Sequence, residues 1–334
     1  MYYTALMGVP VQMAILLPRL HLLGAALLFS TGGAAIKATA LTGWQVASLR
    51  SGVAALAIAL LAPAALRGWN GRVLLVGCGY AATMICFVVA NKLTTAANAI
   101  FLQSTAPLYI LLAGPWLLHE RVRGRDVLLM AVVAAGMVPF LIGTDAASPT
   151  APDPARGNLV ALASGLAWAS TVVGIRWLAS TSAGSPQEKR GEARCGEAYA
   201  TVLVGNLIAC AACLPLALPL GATRARDWAV IGYLGVFQIG VAYLLLSSAV
   251  RHVGALEASV LLLVEPALNP LWAWLAHGER PSEWALAGGA LIVVATVVKT
   301  WWDAVALPGP PPTDPAARAG TTAEPWSVGR PPPV

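Results

Sequence analysis

A chain of 334 residues that is 58% hydrophobic and 11% charged is too apolar for a water-soluble domain, in which about a quarter of residues are ordinarily charged. Its net charge of +6 comes from basic residues scattered singly between apolar runs, which excludes the basic stripe of a nucleic-acid binder. Cys78, Cys86, Cys195, Cys210 and Cys213 are too few and too dispersed for a disulfide framework.

A helix of about 20 apolar residues crosses about 30 Å of hydrocarbon, and that length predicts ten spans. Residues 1–18 carry no basic side chain ahead of the apolar stretch and no cleavage site, so targeting falls to the first span, and either Met1 or Met13 serves as a start. The first span, 20–40, contains Lys37; the second, 44–64, contains Arg50; the third, 72–90, contains Tyr80. The fourth, 95–118, carries Gln103, Ser104 and Pro107, and the fifth covers 126–143. The sixth, 158–178, carries Trp168 and Arg176 and is followed by a hydrophilic connection over 180–197. The seventh, 198–218, holds Asn206 with Cys210 and Cys213, whose CxxC spacing in an apolar run reads as packing rather than a redox pair. The eighth, 228–250, holds Gln238 and Tyr243; the ninth, 254–276, holds Glu257, Glu265, Pro266 and Asn269; the tenth covers 283–302. Nine of the 32 residues in 303–334 are proline, a composition that predicts a disordered tail. The runs are continuously apolar rather than alternating, which excludes a transmembrane barrel.

Of the 21 Lys and Arg residues, 13 fall on the side that holds the N-terminus and 5 on the other, with Lys37, Arg50 and Arg176 inside spans. Cationic loops stay in the cytoplasm, so both termini are expected there, in the inner membrane. Eight of the 12 tryptophans, including Trp44, Trp69 and Trp228, fall at span ends, where an interfacial aromatic belt belongs.

Residues 94–121, TTAANAIFLQSTAPLYILLAGPWLLHER, align without a gap on residues 253–280, VGALEASVLLLVEPALNPLWAWLAHGER, with seven of 28 positions identical. Pro107 meets Pro266, Glu120-Arg121 meets Glu279-Arg280, and Lys92 meets Arg251 two residues before the window. The sixth span likewise matches the first, with Arg176 opposite Lys37. The expected fold is therefore all-α and integral to the membrane: ten transmembrane helices as two inverted five-helix repeats, 20–143 and 158–302. Five spans per copy make the second copy enter from the opposite side, an architecture of secondary transporters. Proline-interrupted spans at matching places in two halves point to the binding site, although membrane helices also tolerate prolines as packing kinks.

These duplicated segments resemble the EamA-type repeat of the drug/metabolite transporter superfamily, over essentially residues 20–302. The resemblance implies a carrier with both termini inside that works by alternating access, typically exporting amino acids, other metabolites or drugs, with no cofactor. It also implies small-molecule and lipid partners, whereas a coupling proton and a second copy of the chain are partners the sequence leaves open.

Ionisable groups within lipid are costly and demand an explanation. Glu265, near the midplane of the ninth span, could accept a substrate ammonium, carry a coupling proton or remain a structural carboxyl. Arg50 and Lys37, read as lying near the outer ends of their spans, could bind a carboxylate or snorkel to the interface. Arg176 and Glu257 read as interfacial. Among uncharged groups, Gln103, Trp168 and Gln238 are the chosen cavity residues, with Pro107 and Pro266 as the helix breaks. His21, His119, His252 and His277 lack metal-ligand spacing, so no metal is expected. Two rival classes remain: a membrane-embedded enzyme, which would need clustered acids or histidines at a membrane face, and a non-transporting receptor or scaffold on the same fold.

Overall fold

Lipid offers no partner to a backbone N–H or C=O, so a spanning segment has to satisfy both internally as a helix. The structure, a computed structural model that describes residues 11–117, 124–142, 146–181, 187–249, 252–253 and 255–306, is all-helical apart from one isolated bridge between Ser148 and Ala151. In order come α1 (Val11–Ser30), α2 (Gly32–Lys37), α3 (Gly43–Leu61), α4 (Gly71–Leu93), α5 (Ala96–Gln103), α6 (Ala106–Leu117) and α7 (Gly124–Ile142). The second half follows with α8 (Pro154–Thr181), α9 (Gln187–Ala217), α10 (Ala225–Tyr233), a π-helical segment Leu234–Val241 and α11 (Ala242–Ala249). α12 (Ala255–Leu262), α13 (Val264–His277) and α14 (Glu283–Ala306) complete it.

Among the described residues, six stretches are long and apolar enough to cross a membrane by length and composition: Leu16–Lys37, Gly43–Leu61, Gly71–Leu93, Pro154–Leu178, Gly196–Ala217 and Ala225–Ala249. Val127–Phe140 and Glu283–Val298 are shorter apolar helices. The fourth and ninth expected spans are each divided in two, and the division has a local cause. A proline has no N–H for the carbonyl four residues back and its ring clashes with that carbonyl. Four residues before Pro107 is Gln103, where α5 ends; four before Pro266 is Leu262, where α12 ends. The two breaks thus fall at the same aligned position of the duplicated segment.

The hydrophilic connection is mostly helical, since α8 runs to Thr181 and α9 starts at Gln187, while residues 182–186 lie outside the described ones. α14 continues to Ala306, past the expected start of the tail at 303; residues 307–334, on which the rest of that expectation falls, and the Glu120-Arg121 pair lie outside the described residues.

The exterior is apolar, and polar side chains are buried within an otherwise apolar interior. Leu56 and Leu60 of α3 and Leu75 of α4 stand 61%, 71% and 66% exposed, while Arg50, Thr83, Asn91, Asn206 and Asn269 are buried. Water would reverse that distribution, and lipid selects it. The most extensive packing interlocks the two halves: α4 on α8 and α9, α3 on α9, and α7 on α14. Small residues permit the approach, as an added Cβ on Gly205 would lie 2.5 Å from the Tyr80 ring and one on Gly174 2.7 Å from the Val76 side chain.

Candidate functional site

The inward-facing polar groups meet at a cavity of about 220 Å³ in the middle of the bundle. Arg50 from α3, Gln103 from α5, Trp168 from α8, Gln238 from the π-helical segment, and Glu265 and Pro266 from α13 all line it. Each interrupted helix contributes the residues at its break, Gln103 and Ser104 from one and Leu262 with Glu265 from the other. Pro107 is not on this cavity. It faces α7 and α14, beside Leu129, Val133 and Ala295.

Arg50 is 1% exposed. Its Nη2 donates to Met84 Sδ at 3.3 Å, while Nε and Nη1 have no partner among the described residues. A guanidinium stays charged at any physiological pH, and burying one with idle donors is costly unless something accepts from them. Arg50 was expected near the outer end of its span; it is instead the eighth residue of α3 and looks into the bundle. Glu265 makes no ion pair among the described residues, so the cavity holds one basic and one acidic side chain that are not consumed by pairing with each other.

Phe29, Trp168, Tyr243 and the two glutamines share the remaining wall with Ile100, Ile239, Leu246 and Leu262, and Tyr80 and Asn206 stand behind it. The Tyr243 ring meets Phe29 edge-on at 5.1 Å and Tyr80 at 5.6 Å, and Asn206 Nδ2 donates to Tyr80 Oη at 3.4 Å. Gln103 Nε2 donates to Ser164 Oγ at 2.8 Å, which fixes its amide against α8. Gln238 sits within the π-helical turn, a deformation that often re-aims side chains at functional sites. Gly235 makes room for it, since a Cβ there would lie 2.6 Å from Val53 and 2.9 Å from the Arg50 carbonyl. No three His, Cys, Asp or Glu side chains among the described residues gather into a group that could hold a metal ion.

A second polar cluster closes one end of the bundle. Lys37 and Glu279 form an ion pair of 3.0 Å with side chains 3% and 5% exposed. Lys37 Nζ also donates to the carbonyls of Thr94, at 2.8 Å, and of Thr150. Glu279 Oε1 accepts the Ala96 N–H at 2.6 Å, at the start of α5. Lys92 Nζ donates to the Thr39 carbonyl at 2.8 Å, and Asp227 accepts from the Ala40 and Arg224 N–H groups, each at 3.0 Å. The snorkelling reading of Lys37 is therefore wrong: an internal carboxylate holds the ammonium in the protein. At the opposite end Arg19 pairs with Glu257, and there the side chains are 38% and 41% exposed.

Residues 16–142 and 155–301 each match the EamA-like transporter family. The chain belongs to that family. An uncharacterized transporter of Archaeoglobus fulgidus (strain ATCC 49558 / DSM 4304 / JCM 9628 / NBRC 100126 / VC-16) is 27% identical over 217 residues, spanning 65% of this chain and 71% of that protein. A solved crystal structure of a protein superposes with a TM-score of 0.56 at 22% identity, covering 87% of this chain and 99% of the other, a likeness of fold. The EamA-like repeats each contribute to the cavity, with Arg50 and Gln103 from the first and Trp168, Gln238 and Glu265 from the second. Thr83, Met84 and Phe87 of α4 also line it and carry no sequence signal that separates them from ordinary span residues. The pairing of Lys37 with Glu279 was equally invisible, since nothing local links residues so far apart in the chain.

Proposed function

We propose that this EamA-like transporter is a secondary carrier that exports a small solute bearing a carboxylate, an amino acid or related metabolite, across the inner membrane by alternating access. Its frame is ten spans in two inverted five-helix repeats with both termini cytoplasmic. The coincident breaks at Gln103 and Leu262, the odd number of spans per copy and the bias of basic residues support that frame.

The observation that carries the reading is Arg50, fully buried, with two idle donors on the same cavity as Glu265. A carboxylate suits the planar fork of a guanidinium. Glu265 then faces the solute's ammonium or takes the coupling proton, while Trp168 and Tyr243 enclose its apolar part. Gln103 and Gln238 supply amides whose hydrogen bonds select among solutes.

The test is uptake of labelled amino acids and cationic drugs into inverted vesicles, with and without a proton gradient, by the wild type and by Glu265→Gln. Gradient-driven accumulation of a carboxylate-bearing solute, lost in Glu265→Gln, is the expected result. Accumulation untouched by the substitution removes Glu265 from coupling, and transport of no compound at all favours a receptor or scaffold.

A further inference from the structure

We propose that the solute leaves the cavity between α2, α4, α5 and α13, and that Lys37 and Glu279 are the gate across that route. The proposal rests on the carrier reading above, in which the Lys37 end of the bundle is the outer end.

The first support is a trail of polar groups from the cavity to the ion pair. Gln238 on the cavity wall reaches Gly32, where an added Cβ would lie 2.8 Å from its Nε2. One residue on, a Cβ on Gly33 would lie 2.4 Å from Asn269 Oδ1, 2.9 Å from the Ala96 Cβ and 3.0 Å from Asn91 Oδ1. α2, α13, α5 and α4 therefore converge on a glycine with two asparagine side chains against it. Asn269 is fully buried with both amide atoms unpartnered, and the buried Asn91 leaves its Oδ1 unpartnered. Buried amides are ordinarily satisfied. Two unsatisfied ones at a junction between the repeats mark a surface that meets water or solute in another state of the protein.

The closure beyond them is ionic and dry. Buried ion pairs stabilise little compared with apolar packing, and their best-attested use is as registers or switches. This one joins three places distant in sequence: Lys37 at the end of α2, the Ala96 N–H at the start of α5, and Glu279 just beyond α13, after Gly278 in the left-handed conformation (φ 67°). Once the helices part, all three partners can hydrate at the surface.

The two short helices connect solute to gate. α5 has Gln103 on the cavity at one end and Ala96 on Glu279 at the other; α13 has Glu265 on the cavity at one end and leads into Glu279 at the other. Each is freed from its neighbour by the break, so a tilt imposed at the cavity is delivered to the ion pair. A solute held between Arg50 and Glu265 thereby acts on its own exit.

The experiment uses the full chain with its five native cysteines replaced and Ser104→Cys on the cavity as reporter. Labelling by a membrane-impermeant maleimide is followed from the outer side and, in inverted vesicles, from the inner side. Glu279→Gln and Lys37→Met are each expected to raise the outer-side labelling rate at least tenfold, whereas Lys37→Arg, which keeps the charge, stays at the wild-type rate. Outer-side labelling unchanged in both Glu279→Gln and Lys37→Met, with inner-side labelling showing that the proteins are inserted and folded, overturns the gate. Because no solute is needed, the carrier reading fails separately: it falls if transport is absent while the labelling responds, and the gate falls if transport proceeds while the labelling does not.

Discussion

Arg50 separates stability from function at a single position. Removing a buried, half-satisfied charge relieves a desolvation cost, so Arg50→Met is expected to melt at the wild-type temperature or above it in detergent. The same substitution removes the fork that we assign to the solute carboxylate. A hydrogen bond to a charged group contributes about 1.5–3 kcal/mol, so solute affinity should fall by about 10- to 100-fold, read as the concentration dependence of counterflow. Loss of thermal stability without loss of affinity would show that Arg50 is structural. How deep such a residue sits was poorly legible in the sequence. An apolar run fixes where a span lies only to within a few residues, and which way α3 turns Arg50 depends on Gly235 letting the π-helical segment lie against it. Lys37 was misread for a related reason: a long cationic side chain near a span end snorkels by default, and only the fold shows Glu279 beside it.

At the scale of elements, the prolines were the most informative letters in the chain. α5 and α12 each end four residues upstream of one of them, where a missing N–H leaves a carbonyl without its partner. The π-helical segment, which packs on α3, had no such sign, because none of its residues forces the backbone. Glycines at helix crossings set the distance between elements, and their contacts predict which of them tolerate a side chain. A Cβ on Gly289 would meet the Phe101 ring at 2.4 Å, whereas one on Gly221 would meet nothing within 4 Å. Gly289→Ala should therefore destabilise the protein by about 1–3 kcal/mol through overpacking of α14 on α5, and Gly221→Ala should stay within about 0.5 kcal/mol of the parent. Thermal unfolding of the two variants in the same detergent makes the comparison.

For the whole molecule, the class of fold was legible because lipid as solvent leaves few options, and the family repeats followed from the duplicated segment. What converges on the cavity was less so, since five side chains from five elements meet only through the interlocking of the halves. The proposed orientation has its own check. A cysteine at Arg67, exposed after α3, should label only from the cytoplasmic side, and one at Gly221, exposed before α10, only from the opposite side; the reverse pattern would invert the topology and turn the proposed exit into an entrance. The charge fixed at Arg50 would also place the proposed carrier under electrical control. On the proposed cycle, with Glu265 protonated, an empty cavity carries one positive charge; a bound carboxylate without an ammonium cancels it, whereas a zwitterionic amino acid leaves it in place. The empty cavity takes the potential of whichever side it opens to, so an inside-negative membrane pulls the unloaded protein toward the inner face by up to about 2.3 kcal/mol per 100 mV. On that proposal a form loaded with a monoanion feels no such pull, so membrane voltage would act on the return stroke of the cycle alone, whereas with a zwitterion it would act on both strokes.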